Sequence, residues 1–508
     1  MRILAPCRSF IYNESAMNEI KTACLRDVIH DYIYFTVPQK SGEISEQAVV
    51  DSPWLQRLRR INQLQAAWMV YPCATHTRFQ HSLGTMHLAG NMAYRLYDSF
   101  KKAFPDEYIP PEKNYVEELF RLAGLLHDVG HGPFGHLMDE VYTWKLYGKT
   151  HEDISAKVIR EHLSHIIEKI NFSPHGYFTQ KIKADDVIKF IKTPSDFSGY
   201  ELWEQIFCKI MMGIYSVDII DFLLRDKYYC GTKEFGDIDI KRLLGSTAVT
   251  SSGFSMDKDA LPALKSFLST RMSMFCHIYF NEKKELFESA LGRLLPGIVK
   301  VMKIGNPYEN IKKYFFVDDF ALTSMLTLWA RTETGQKKEL GKQWEKIAVM
   351  RDTPDKLVLS GQKSYFTFVR KEELLTEEKI INNFRLHYKI KCPISVNIDT
   401  LDIRLQNVFV RFNGKLLLKK EDNLKSISLF DSGSDTILGE EMNKVLQDIP
   451  VKFLLWQVFV PAKYSRRVQA VIKAESADGS DIVEAQMSLP LGPARWNEQK
   501  EKTEISNV

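Results

Sequence analysis

At 508 residues, with 68 Lys and Arg against 64 Asp and Glu for a formal net charge of +4, the chain is long enough for more than one domain and has no charge excess pointing to nucleic acid. Its 44% hydrophobic and 26% charged residues are those of an ordinary globular protein. Seven scattered cysteines without C-x-x-C spacing argue against a disulfide framework or a zinc knuckle, and no apolar run reaches the about 18 residues that span a bilayer, so a cytoplasmic location is expected and a membrane partner is not. In chain order, Val28 to Phe35 reads as a strand that contains His30 and Asp31 without flanking glycines. From about Asp51 to Ile298 the pattern is helical: Leu83, Met86, Ala89, Met92, Ala93 and Leu96 recur at three- and four-residue spacing, as do Val116, Leu119, Phe120, Ala123 and Leu126. Phe207 to Leu224 reads as one helix, apolar nearly all round and therefore buried. After Arg331 a charged segment, Thr332 to Lys346, leads into strand-like runs at Lys356 to Leu359, Tyr365 to Val369, Ile394 to Ile398, Val408 to Phe412 with a turn at Asn413 and Gly414, and Ala470 to Lys473. The expected architecture is mainly α: a helical domain over residues 19–335, a smaller α+β module over 355–473 for assembly or regulation, and a polar, partly disordered tail over 474–508.

Seven histidines (His76, His81, His87, His127, His131, His136, His151) fall between residues 76 and 151, a clustering that suggests a metal or acid/base site. The segment from Leu122 to His136 runs an apolar helix into adjacent His127 and Asp128, with Gly130 as a helix stop. A carboxylate at the end of such a helix needs a partner, because burying it unpaired is costly. His81 opens the preceding helix. Asp218, Asp221 and Arg225 share one stripe of a later helix, where an internal ion pair between Asp221 and Arg225 is the plain reading. His30 and Asp31, adjacent but in a strand-like context, are not expected to be ligands.

These stretches resemble the HD-domain phosphohydrolases, and within them the deoxynucleoside triphosphate triphosphohydrolases, a branch that includes the vertebrate enzyme joining a sterile alpha motif to an HD domain. The match runs from about Asp27 to Asp226 through Asp51 to Leu64, Pro72 to Gly84, Ala123 to Asp139, Thr150 to Glu152 and Val217 to Asp226, and continues more weakly at Thr270, Arg271 and Tyr279. The resemblance implies an HD-domain helical bundle in which His81, His127, Asp128 and Asp218 ligate one divalent metal ion. Two imidazoles and two carboxylates suit Mn²⁺, Fe²⁺, Zn²⁺ or Mg²⁺. It further implies that His131 and His151 contact the α-phosphate and that His136, supported by Asp139, protonates the leaving 5′ oxygen. Arg78 and Arg271 would face phosphate, and Gln63, Leu64, Phe222, Asp226 and Tyr279 would hold and flank the sugar. The implied reaction is attack of metal-activated water at the α-phosphorus of a dNTP, releasing deoxynucleoside and triphosphate.

The chain departs from the vertebrate pattern at Ile219, where a lysine follows the last metal aspartate, and this puts the length of the phosphate chain and the base preference in question. Asp51, Gln56 and Arg59 match positions that bind an activating guanine nucleotide in that enzyme; packing and capping of a helix is the other reading. A homo-oligomer, dimer or tetramer, is implied as well. Two rivals stay open: an HD phosphohydrolase for another nucleotide phosphoester, and a nucleotide-sensing HD scaffold. Lys463, Arg466 and Arg467 form a local basic patch whose plain reading is a solvated surface.

Overall fold

The computed structural model describes residues 20–105, 110–192, 197–349 and 351, with four strand segments and residues 465–466 farther along. We number only the elements that bear on the site. A hairpin of β1 (Thr22–Asp27) and β2 (Asp31–Thr36) replaces the single strand expected over Val28 to Phe35. Asp27 Oδ2 accepts the backbone N–H groups of Ile29 and His30 at 2.9 and 3.0 Å. This closes a tight Asx-type turn, and His30 projects from it.

The centre is an antiparallel pair, α1 (Arg78–Ala103) and α2 (Lys113–Leu126). The apolar positions read from the sequence are all buried, Leu83 to Leu96 on one helix and Val116 to Leu126 on the other. Gly124 lets the backbones meet: a Cβ there would stand 2.8 Å from the Thr85 carbonyl oxygen and 2.9 Å from the Met86 nitrogen. His81 lies one turn before Thr85 and His127 three residues after Gly124, so this close approach brings the two imidazoles together, edge to face with ring centroids 5.0 Å apart.

Residues 207–224 are not one helix. Lys209–Met212 ends at Gly213, and α4 (Val217–Cys230) starts afresh. Ser216 Oγ caps it by accepting the Ile219 N–H at 3.3 Å. The break puts Asp218 in a first turn, where a carboxylate is favoured by the helix dipole. Between α2 and α4 lies α3 (His151–Val158), capped by Thr150. After α4 come α5 (Leu261–Met274), a π-helical turn Phe275–Tyr279, α6 (Glu282–Val301), α7 (Asp319–Thr332) and α8 (Gly335–Ala348). The charged segment Thr332 to Lys346 is therefore mostly helix. It buries Leu340, Gly341, Trp344 and Ile347 at three- and four-residue spacing, and the helical body continues through Ala348.

A hairpin of β3 (Thr247–Thr250) and β4 (Gly253–Asp257) gains β7 (Ser428–Phe430) as a parallel neighbour. β5 (Asp355–Tyr365), β8 (Lys452–Pro461) and β6 (Asp402–Phe409) form an antiparallel sheet in that order. Lys356 to Leu359 and Tyr365 thus belong to one strand. The apolar run at Phe453 to Trp456, not predicted as a strand, lies at the centre of the sheet. Residues 366–369, 394–398, 413–414 and 470–473, Lys463, Arg467 and the 474–508 tail lie outside the described residues. The fold is mainly α with small sheets, and among the described residues no helix is long and apolar enough to cross a membrane.

Candidate metal centre and substrate cavity

Both central imidazoles have their tautomer fixed by a partner behind them. His127 Nδ1 donates to the Gly124 carbonyl at 2.8 Å, and His81 Nδ1 donates to Asp221 Oδ2 at 2.8 Å. Each Nε2 is thereby turned to the centre, where it can hold a proton or offer a lone pair, and the two stand 3.2 Å apart. Asp218 Oδ1 is 2.9 Å from His81 Nε2 and 3.5 Å from His127 Nε2. Asp128 Oδ1 is 3.4 Å from His127 Nε2, while its Oδ2 accepts from Arg78 Nη1 at 2.6 Å. Lone pairs aimed at one another repel, unless a cation lies among them. Donors each about 2.0–2.2 Å from one ion stand roughly 3.0–3.5 Å from each other, and His81 Nε2, His127 Nε2 and Asp218 Oδ1 fit such a centre; Asp128, its Oδ2 bonded to Arg78 and 3.9 Å from His81 Nε2, stands outside that group. Burial alone would lower the His81 imidazole, yet the Asp218 and Asp221 carboxylates outweigh it and push it up to about 10. Burial would raise Asp218, but bonds from His127 and His81 hold it below the ordinary carboxylate range. The centre favours positive charge.

Behind His81 stands a charged layer. Asp221, fully buried, accepts from His30 Nε2 at 2.7 Å and from Arg225 at 2.8 and 2.9 Å, and Arg225 reaches on to Asp27 at 2.7 Å. The expected Asp221–Arg225 pair is present, and the same carboxylate also orients His81. His30 Nε2 is committed to Asp221 and so braces that orientation.

A second cluster adjoins the first, with donor atoms of His131, His136, Asp139 and His151 within 4.8 Å of one another. The rings of His131 and His151 stack at 3.7 Å, with His136 edge-on to both. His131 is buried with neither ring nitrogen hydrogen-bonded, and burial with the nearby Arg78 and His151 charges holds it well below its ordinary value. Asp139, expected behind His136, stands instead 2.7 Å from His151 Nδ1 and 3.9 Å from His136 Nδ1. This cluster is also able to hold a cation. Gly130 packs the turn onto α3 with no room for a side chain: a Cβ would be 2.3 Å from the His151 carbonyl oxygen and the Ser155 nitrogen. Ser155 Oγ bonds both sides of that turn, accepting from the Gly130 N–H and donating to the His127 carbonyl.

Two connected cavities open from these clusters. One of about 300 Å³ is lined by the metal-centre residues with Glu152, Arg271 and an apolar wall of Met211, Met212, Ile214 and Ile219. The other, about 660 Å³, shares Gln63, Arg78, His136 and Phe222 with it and continues to Leu64, Asp226 and Tyr279. Arg271 Nε and Gln63 Oε1 are buried there without a partner, a donor and an acceptor available to a ligand. Burial pushes the Arg271 guanidinium down to about 10. Asp226 accepts from Tyr279 Oη at 2.8 Å and pairs with His76 Nε2 at 2.7 Å, a partner that sequence reasoning left unassigned. Asp51, Gln56 and Arg59 do not line either cavity. Gln56 bonds the Val50 carbonyl and Arg59, and Arg59 lies 3.7 Å over the Phe79 ring, the packing and capping arrangement.

Residues 78–193 match the family model for the HD domain, so the chain carries an HD domain over that stretch. Among its relatives, an uncharacterized protein of Methanocaldococcus jannaschii is 30% identical over 308 residues, 60% of this chain and 55% of the relative. The deoxynucleoside triphosphate triphosphohydrolase SAMHD1 homolog of Dictyostelium discoideum is 28% identical over 388 residues, 72% of this chain and 68% of the relative. The chain thus spans between about half and two thirds of these two proteins. Two crystal structures share the fold: a hypothetical protein from Aquifex aeolicus (21% identity, TM-score 0.61, 89% of this chain and all of that one) and a phosphohydrolase from Bacteroides thetaiotaomicron (19%, TM-score 0.58, 86% of this chain and all of that one).

Proposed function

We propose that the chain is a metal-dependent phosphohydrolase that cleaves dNTPs into deoxynucleoside and triphosphate. The observation that carries this reading is the convergence of His81 Nε2, His127 Nε2 and Asp218 Oδ1 within 3.5 Å on the wall of a cavity that also holds the unpaired Arg271. His81, His127, Asp128 and Asp218 hold the ion, one of Mn²⁺, Fe²⁺, Zn²⁺ or Mg²⁺. When bound, it supplies Lewis acidity that offsets phosphate charge and acidifies water. Arg271 binds phosphate oxygens and, being half-desolvated already, loses little by doing so. Arg78, bonded through Nη1 to Asp128 with its Nε unpartnered, positions that carboxylate and offers phosphate a further donor. His151, oriented by Asp139, and His131 donate to the α-phosphate. His136, which burial and the His151 and Arg78 charges push down to about 4, takes up a proton once phosphate charge occupies the cavity and delivers it to the 5′ oxygen as the P–O5′ bond breaks and a P–O bond to water forms. Gln63 and the Asp226–Tyr279 pair hold the sugar beyond.

The apolar wall of Met211, Met212, Ile214 and Ile219 favours a second reading, a phosphoester with fewer phosphate charges. Incubation of the full chain with Mn²⁺ or Mg²⁺ and each dNTP, followed by chromatography, tests the first. Deoxynucleoside with triphosphate is the expected product pair; turnover confined to monophosphates or cyclic dinucleotides favours the second reading, and no turnover of any nucleotide defeats both.

A further inference from the structure

The larger cavity ends, away from the metal centre, in a charged group that the reaction above does not use. Lys284, Glu285 and Glu288, on the first turns of α6, are 5%, 6% and 5% exposed and all line the cavity. Lys284 Nζ donates to Glu285 Oε1 at 3.1 Å and to Glu288 Oε2 at 2.8 Å. Ions this well buried cost several kcal/mol each unless paired, so their place in a cavity wall calls for an account of what each one does.

The two carboxylates are differently employed. Glu288 is a brace: besides Lys284 it takes the Gln65 side-chain amide, which with its nitrogen turned inward donates to both oxygens at 2.8 and 3.0 Å. It thereby fixes the Gln63 to Ala66 loop, where Gln65 adopts φ 51. Glu285 receives only Lys284 among the described residues, at one oxygen. Its remaining acceptor capacity faces the cavity. Leu64, Phe275 and Phe280 line the same cavity and supply apolar and aromatic surface to it. Such surface beside a carboxylate acceptor with an adjacent ammonium donor suits an aromatic heterocycle with hydrogen-bonding groups along one edge.

We infer that Glu285, held by Lys284, reads the base of the nucleotide and selects bases whose edge carries an amino group (guanine, adenine, cytosine) over thymine and uracil. Amino hydrogens donate to the carboxylate, while the ring acceptor beside them faces the Lys284 ammonium. Thymine and uracil carry no amino group, and their one edge donor, N3–H, lies between two carbonyl oxygens, so bringing it to Glu285 also sets a carbonyl oxygen against the buried carboxylate. The inference rests on the nucleotide reading of the site but is tested apart from turnover. Binding of deoxyguanosine, deoxyadenosine, deoxycytidine and thymidine to the metal-loaded full chain is measured by calorimetry, in the wild type and in Glu285→Gln. The amino-bearing nucleosides should bind roughly tenfold or more tightly than thymidine, the size expected of hydrogen bonds to a charged group, and Glu285→Gln should collapse or invert that ratio. Equal affinities in the wild type, no nucleoside binding, or a ratio unmoved in a folded Glu285→Gln protein would each overturn it. Because these nucleosides carry no phosphate, the outcome stands whether or not dNTPs prove to be the substrates.

Discussion

The carboxylate of Asp221 holds His81 in place: Oδ2 accepts the Nδ1 proton at 2.8 Å, and the opposite ring nitrogen is thereby left facing His127 and Asp218. Asp221 is itself fixed by His30 and Arg225, so a chain of charge runs from the β1–β2 turn to the centre. Replacing such an orienting carboxylate commonly costs about 10–100-fold in metal affinity. Asp221→Asn should therefore lower the metal retained after dialysis against a graded chelator by that order while the first ligands stay in place. Metal content unchanged in a folded Asp221→Asn protein would remove the orienting role.

Gly130 offers a test of how tightly the turn after His127 and Asp128 is set. The atoms that a Cβ would strike, at 2.3 Å, belong to the backbone of α3 and have no rotamer to yield with. Overpacking of this kind costs about 1–3 kcal/mol and shifts backbone. Gly130→Ala should lower the urea midpoint by that order and reduce activity further than stability alone accounts for, because His151 rides on the displaced segment. A variant with wild-type midpoint and turnover would show that the turn has slack.

How much of this was legible beforehand follows the range of the interactions. His127 and Asp128 after an apolar helix, the flanking glycines and the histidine spacing are local, and the structure brings those residues together. His30 was set aside because nothing within its own segment gave it a partner; Asp221 lies 191 residues away. Glu285 and Glu288 gave no signal, since two glutamates near a helix start resemble any solvated first turn. Other differences were avoidable. Ser216 after Gly213 is a stop followed by an N-cap, and Leu340, Trp344 and Ile347 have helical spacing across the end of the charged segment, local signals masked by the near-continuous apolar run of one stretch and the charge of the other.

Two guanidinium groups line the smaller cavity; Arg78 is bonded through Nη1 to Asp128, and Arg271 is the one that shares no carboxylate hydrogen bond among the described residues. Removing it should weaken ligands in proportion to their phosphate, by about 10–100-fold for a charge-assisted contact. Arg271→Ala is expected to raise KM for a dNTP by that order while leaving deoxynucleoside affinity within a factor of about two. An equal loss for both ligands would mean that the side chain shapes the cavity and does not bind phosphate.

The segment that braces the histidine loop carries its own pH dependence. Asp319, 2% exposed, accepts the Phe134 N–H at 2.7 Å and the Asn62 N–H at 2.9 Å, and so ties the Phe134–Gly135 bend, at φ 57 and 51, to the start of α7. Burial pushes its carboxyl up to about 7, with those two bonds pulling the other way. A raised value means that the folded chain prefers the neutral acid. The associated stability is full below the ordinary aspartate range and is lost as pH rises through about 7; the whole span is on the order of 4 kcal/mol. Asp319→Asn keeps an acceptor oxygen and cannot ionise. Urea midpoints for the two proteins at pH 5 and pH 8 isolate the effect, since every other titrating group is common to both. The variant should gain on the wild type between pH 5 and pH 8; a difference between the two proteins that stays constant over that range would mean Asp319 is already ionised in the fold, with its two backbone donors outweighing burial.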